Sequence, residues 1–347
     1  MRISAPRVSG PVGPDAPTAP DGSRARSTRR TVGSGVAAAL ALVLALAACS
    51  SPDGDATPDT VPGETRTVQD ALGAVEVPVD PQRIVSTDFF SSSVLVDVGI
   101  VPVGVMSGID EPNPAARPNR YFDALGDVPA VSTYAEINVE KVLDLAPDLI
   151  IVDSQFSDPE TIERLATIAP IFNVDLSGSW SERALSIADA ANRLDEVTAQ
   201  KADYDARVAE ISTAYRDVLD GRRFAVLALH PTEATWSAYL PGSWPTPVWV
   251  DLGATFRETT DGESTDDSFV WLPDEQLEKL SNADVVLVVD TEQLPRMEAN
   301  GLWTSLPAVT DGLALPNVKA SATSSFLWGL DNLDDAEEIL QKVQATA

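Results

Sequence analysis

Residues 140–153 read Glu-Lys-Val-Leu-Asp-Leu-Ala-Pro-Asp-Leu-Ile-Ile-Val-Asp, and residues 275–290 repeat that order as Glu-Gln-Leu-Glu-Lys-Leu-Ser-Asn-Ala-Asp-Val-Val-Leu-Val-Val-Asp. Each stretch opens on a helical pattern and passes through a short polar break. Each then runs into four or five consecutive apolar residues closed by Asp153 or Asp290. An uninterrupted run of this kind fits a strand buried on both faces, as in a parallel sheet under helices. A second pair of words supports the repeat: Val94-Leu95-Val96-Asp97-Val98-Gly99 returns as Val248-Trp249-Val250-Asp251-Leu252-Gly253. Order and spacing together predict two similar α/β lobes.

Outward from these blocks, further strands are expected at Arg83–Ser86, Val101–Met106, Leu149–Val152, Ile171–Val174, Phe224–Leu229 and Val285–Val289. Between the lobes, Ser179 and Glu182 form a capping box for a helix reaching about Arg193. A second helix is expected from Glu196 to Asp220, with Tyr204, Val208, Ile211, Tyr215 and Val218 on one face and Gly221 as its C-cap. Twenty-five residues give a rod of about 37 Å, enough to link one lobe to the other. The fold class is therefore α/β: two lobes with central, mostly parallel sheets joined by one long inter-lobe helix. The lobes are placed at residues 65–178 and 221–347, with the connector at 179–220.

The N-terminal residues read differently. Arg24, Arg26, Arg29 and Arg30 precede an apolar run from Val36 to Ala48, too short to span a bilayer comfortably, which is the layout of a secretory signal peptide over residues 1–48. Arg29-Arg30 leaves general and twin-arginine export both open. Leu46-Ala47-Ala48-Cys49 resembles a bacterial lipobox, in which the cysteine is acylated. Cys49 is the only cysteine in the chain, so no internal disulfide competes for it. Residues 49–64, rich in Pro, Gly, Asp and Thr, are too polar to fold and read as a tether. The expected location is the outer face of the cell membrane, held by a lipid anchor.

The 347 residues carry a net charge of −29. Residues 1–48 hold six Arg against Asp15 and Asp21, which leaves −33 on the remainder. Such a surface repels nucleic acid and keeps the protein soluble and monomeric. With His230 the sole histidine and Cys49 committed to the lipobox, no direct metal site or intrinsic cofactor is expected. A secreted hydrolase-like enzyme is the rival of another class. No Gly-x-Ser-x-Gly elbow, phosphate loop or dinucleotide fingerprint supports it.

Several words together resemble the helical-backbone (class III) solute-binding proteins of ABC importers, the iron-siderophore and cobalamin periplasmic-binding-protein family. They are Thr67–Gly73 with Val77-Pro78 and Pro81–Val85, Gly99–Val105, Asn138–Ile150 and Leu302–Val309. The resemblance implies no catalysis, but capture of a small iron chelate, a ferric siderophore, for a membrane permease. Cobalamin and haem stay open beside it. It also implies one permease-docking glutamate per lobe, at Glu140 and Glu275. Ligands of open α/β sheets sit beyond the carboxyl ends of the strands. On that rule the cleft candidates are Phe89, Arg117, Arg120, Tyr121, Trp236, Tyr239, Trp244, Arg296 and Trp328, aromatics as walls and arginines for anionic oxygens.

Overall fold

A hairpin of β1 (Thr65–Asp70) and β2 (Gly73–Pro78) opens the folded part of the chain. In this computed structural model the described residues are 63–346, apart from 108–118, 134–135, 154–156, 230–234, 260–263, 266–267, 290 and 318–322. Residues 1–48, expected as a signal segment, Cys49 and His230 lie outside them. The described residues belong to one compact unit that begins at Thr60.

Two sheets follow the hairpin. In the first half, β3 (Ile84–Ser86), β4 (Val105–Met106), β5 (Ala130–Ser132), β6 (Leu149–Val152) and β7 (Ile171–Asn173) pair entirely in parallel. Their order is β3-β6-β7, with the β4-β5 pair joined through a Val85–Gly104 bridge. The four residues of β6 are fully buried, as the Leu-Ile-Ile-Val run requires. The expected strand at 101–106 shrinks to its last two residues, because Val101 is exposed and Pro102 has no N–H for a neighbour.

The second half holds β8 (Arg223–Leu229), β9 (Thr235–Tyr239), β10 (Thr255–Phe256), β11 (Ser264–Thr265), β12 (Phe269–Pro273), β13 (Val285–Val288) and β14 (Ala314–Pro316) in one seven-stranded sheet. Its centre is parallel, as expected, and one edge is antiparallel. Strands β10, β8, β13 and β14 pair in parallel, but β9, β12 and β11 extend the sheet antiparallel. The link from β8 to β9 is five residues, too short for a crossover helix, so the chain must fold straight back.

Helices α1 (Ser91–Asp97), α2 (Asn119–Leu125), α3 (Val139–Asp144) and α4 (Pro159–Ala166) flank the first sheet's strands in sequence. Between the sheets run α5 (Trp180–Ala190), α6 (Leu194–Ala214) and α7 (Arg216–Gly221), followed within the second half by α8 (Pro247–Asp251). Three short helices, α9 (Leu294–Glu298), α10 (Gly301–Thr304) and α11 (Pro307–Thr310), precede the C-terminal α12 (Phe326–Ala345). The capping box at α5 forms as read, Ser179 and Glu182 satisfying each other's backbone N–H.

The long helix is shorter than expected. It ends at Ala214, and Tyr215 (φ −115°, ψ 21°) separates it from α7. The rod is therefore about 31 Å long. Tyr215 is drawn into the core, its hydroxyl donating to Glu337 Oε1 on α12 at 3.3 Å, so packing overrides the continuing apolar period. Gly221 is the last residue of α7; Arg222, in extended conformation, is the cap. Nor does the rod stand free. One apolar core runs from Leu149 and Phe172 through Trp180, Tyr204 and Ile211 to Phe224, Trp249 and α12.

Both repeats are real in three dimensions. Asp148 accepts the Arg83 backbone N–H at 2.9 Å, and Asp284 accepts that of Arg223 at 2.8 Å, so each fixes the start of the strand beside it. Helices α1 and α8 end alike on Gly99 and Gly253, at φ +77° and +79°, where only glycine turns without strain. The repeated aspartates then anchor different sets of helices. Asp97 accepts from Tyr121 Oη at 2.7 Å, Ser325 Oγ at 2.6 Å and Arg120 Nε at 3.2 Å, tying α1 to α2 and α12. Asp251 accepts from Tyr204 Oη at 2.8 Å and Trp180 Nε1 at 3.1 Å, tying α8 to α6 and α5.

Burial pushes the carboxyls of Asp97 and Asp251 above their ordinary value of 3.8, against the pull of these hydrogen bonds. Each binds a proton more readily folded than unfolded. Their stabilising share is complete below the unfolded value and is lost as pH rises through the folded one. The capping carboxylates Asp158 and Glu182 work the other way, held low by Thr161 and Ser179 respectively, and lose their share as pH falls through their folded values. Acidification from neutral pH toward the ordinary carboxylate range should therefore raise the Tm until the capping carboxylates begin to protonate. Thermal melts of Asp97→Asn should show a flatter rise; an unchanged slope would contradict a titrating Asp97.

Candidate ligand cleft

The carboxyl ends of β3, β4, β5, β6 and β7 open onto one cavity of about 650 Å3, reached from the other half by Trp244. Its position follows from parallel pairing, which aims five strand ends, and the loops after them, at the same side of the sheet. Phe89, Phe90, Met106, Ile137, Leu176 and Trp244 supply the apolar wall. Phe89 and Phe90 meet edge to face at 5.6 Å. Trp244, 45% exposed, is braced by Tyr239 at 6.5 Å between centroids, and Tyr239 in turn by Phe269 at 5.9 Å.

At the cavity's base, Asp88 fixes the loop between β3 and α1. Its Oδ1 accepts the N–H groups of Phe90 and Ser91 at 2.8 and 2.9 Å, and its Oδ2 the Ser91 hydroxyl at 2.7 Å. Burial still raises its carboxyl above the ordinary value, with the nearby Arg183 charge opposing. Arg183 lies over the Phe90 ring, Cζ 4.2 Å from its centroid. Asp158 lines the opening as the N-cap of α4.

Of the nine cleft candidates, the structure brings Phe89 and Trp244 to the cavity and sets Tyr239 directly behind Trp244. Five others are elsewhere, each for a visible reason. Arg120 is paired with Asp97 at 3.2 Å and Asp331 at 2.5 Å, and Tyr121 is buried in the Asp97 cluster. Trp328 packs on Tyr121 at 5.6 Å. Trp236 stacks on Trp303 at 5.1 Å and donates to Asp274, which makes it core of the second half. With Arg296 it borders a separate cavity of about 230 Å3. Arg117 lies outside the described residues. Sequence reasoning missed the segments after β5 and β7, which bring Thr133, Glu136, Ile137 and Leu176 to the cavity. The strand-end rule finds the first of them once Ala130–Ser132 is recognised as a strand.

Glu140 and Glu275 are both exposed. Glu140 sits in the first turn of α3, whose N-cap Asn138 accepts the Lys141 N–H at 2.9 Å. It pairs with Arg164 of α4 at 2.7 Å; its own backbone and that arginine hold its carboxyl below the ordinary range. Glu275 occupies the first turn of a 3-10 helix, Asp274–Asn282, where an α-helix was expected. That turn is pinned by Asp274 Oδ1, which accepts from Trp236 Nε1 at 2.6 Å.

The family model described as periplasmic binding protein matches residues 84–312, which take in the first sheet, the connecting helices and most of the second sheet. The chain belongs to the periplasmic binding protein family. Members are solute-binding components of transport, so this periplasmic binding protein is not an enzyme. It is similar to the "Probable siderophore-binding lipoprotein YfiY" of Bacillus subtilis, 30% identical over 184 residues, which cover 51% of this chain and about half, 54%, of that relative. The "Putative ABC transporter substrate-binding lipoprotein YhfQ" of the same organism is 25% identical across 88% of this chain and 94% of its own length. Among solved structures, the siderophore periplasmic binding protein from the fuscachelin gene cluster of Thermobifida fusca superimposes with a TM-score of 0.63. It is 30% identical and covers 77% of this chain and 98% of its own. This likeness shows the α/β architecture with its connecting helix.

Proposed function

We propose that this protein captures a ferric siderophore or a similar iron chelate in the cavity at the strand ends and hands it to an ABC permease. The observation that carries the reading is an aromatic-walled cavity of about 650 Å3, in a chain whose relatives include proteins named for siderophore binding. A cavity of that size suits a compact chelate of several hundred daltons. The apolar wall suits the organic skin such a ligand presents around its metal. The iron is cargo, already fully coordinated by the chelator. In the same reading Cys49 carries a lipid, residues 50–64 are the tether, residues 179–220 join two lobes, and Glu140 and Glu275 meet basic residues of the permease.

Calorimetric titration of the purified protein with ferric hydroxamates, catecholates and citrate, and with haem and cobalamin, tests the reading. Saturable one-to-one binding of a ferric chelate is expected. Trp244→Ala should weaken it about tenfold or more, as loss of a contacting aromatic does, and leave the Tm nearly unchanged because the ring is half exposed. Binding of haem or cobalamin alone would replace the iron chelate as cargo.

A further inference from the structure

The charge around the cavity bears on which iron chelate it takes, an inference that rests on the function just proposed. Four acidic side chains line it: Asp88, Glu136, Asp153 and Asp158. Among the described lining residues there is no Arg or Lys. Arg183 acts on two of them, its charge shared among Asp88, Asp153 and Asp175 and its guanidinium lying over Phe90. Asp158 is spent on the α4 terminus, bonding the Thr161 N–H and hydroxyl at 2.9 and 2.5 Å. Glu136 is exposed on the rim, its backbone N–H and carbonyl tied to Thr133. Arg120, the arginine of α2 that sequence reasoning assigned to anionic oxygens, is instead engaged by Asp97 and Asp331.

Iron(III) held by three hydroxamates is neutral, since each ligand arm carries one negative charge. Held by three catecholates, each doubly negative, it carries a net charge of minus three. A half-enclosed, apolar-walled cavity strengthens whatever charge interaction it contains, and like charges placed together there exclude a partner more effectively than they would in water. We propose that the cavity selects ferric chelates of zero or positive net charge, of the tris-hydroxamate class, and rejects polyanionic catecholate and carboxylate complexes. The aromatic wall supplies affinity for the organic skin, and the carboxylates supply discrimination and attract a pendant ammonium group.

The test is calorimetry at low and high salt with ferrioxamine B, a tris-hydroxamate bearing one ammonium, against a ferric tris-catecholate and ferric citrate. Ferrioxamine B should bind at least about a hundredfold tighter than either anion at low salt. Added salt should narrow that ratio, because screening shortens the reach of the rim charges. Glu136→Lys, an exchange at an exposed side chain, should weaken ferrioxamine B and narrow the ratio about tenfold, with an unchanged Tm confirming the fold. Equal or tighter binding of the tris-catecholate or citrate, or a ratio indifferent to Glu136→Lys, overturns the charge selection while leaving iron-chelate capture intact. Failure of every ferric chelate to bind removes the proposed function itself.

Discussion

A Glu140→Ala, Glu275→Ala double variant is expected to bind its iron chelate with unchanged affinity and yet to lose uptake almost entirely. Neither carboxylate touches the cavity, so capture has no reason to change. Both are exposed in the first turn of a helical segment, where the backbone dipole favours a negative charge. Each segment leads into an equivalent Asp-then-buried-strand unit, Asp148 with β6 and Asp284 with β13, so the two glutamates are repeat-related positions on a fixed frame. Two contacts on one frame bind as a bivalent unit, and the second adds effective concentration instead of a second independent affinity. Single variants should therefore be impaired and the double variant far more so. Arg164 already occupies Glu140, and under the docking assignment a permease cation has to displace it. Arg164→Ala should consequently leave uptake intact or raise it. Radioactive iron uptake in cells, compared with calorimetry on the purified variants, separates delivery from capture. Full uptake by the double variant would end the docking assignment.

Gly329→Leu is expected to be the most damaging single exchange for stability. A Cβ at this buried position of α12 would meet Tyr204 Cε2 at 2.7 Å and Cδ2 at 3.0 Å, and Trp180 Cη2 at 3.4 Å. The Tyr204 ring has no room to withdraw. Its hydroxyl is held by Asp251, Trp180 packs edge-on at 5.2 Å, and Phe326 closes the other approach at 5.8 Å. Overpacking in a rigid core costs about 3 kcal/mol, and at this chain length that lowers the Tm by roughly 6–12 °C. The favourable helix propensity of leucine, worth about 1 kcal/mol over glycine, offsets part of the loss. Tyr204→Ala in the same chain should recover some of the clash, though the aromatic cluster is then lost. A Tm equal to or above that of the unaltered protein would show that α6 and α12 do not meet as closely as described.

The difference between these two predictions marks what the residues disclosed by themselves. The repeat around Glu140 and Glu275 was legible because buried parallel strands demand continuous apolar runs, and the Asp before each run recurs with them. The capping box at Ser179 and the terminal glycines at 99 and 253 were legible for a similar reason: local geometry dictates those side chains. Gly329 gave no signal, because its need for a bare backbone arises only where α6 crosses α12.

The cavity divides in the same way. That a cleft lies beyond the strand ends follows from topology alone, and Phe89 and Trp244 were found by that rule. Trp236, Trp328, Tyr121 and Arg120 sit on equally plausible loops or at their edges, yet the packed interior claims them. A large aromatic ring gains more from a dry neighbour than from an open wall, and an arginine beside Asp97 is spent on that pair. The sequence by itself determined the acidic charge, the doubled α/β plan and the start of the connecting helix, since each rests on composition, period or a local cap. Only the tertiary structure decided the antiparallel edge of the second sheet, the break at Tyr215 and which aromatics line the cavity, because those depend on distant residues competing for one volume.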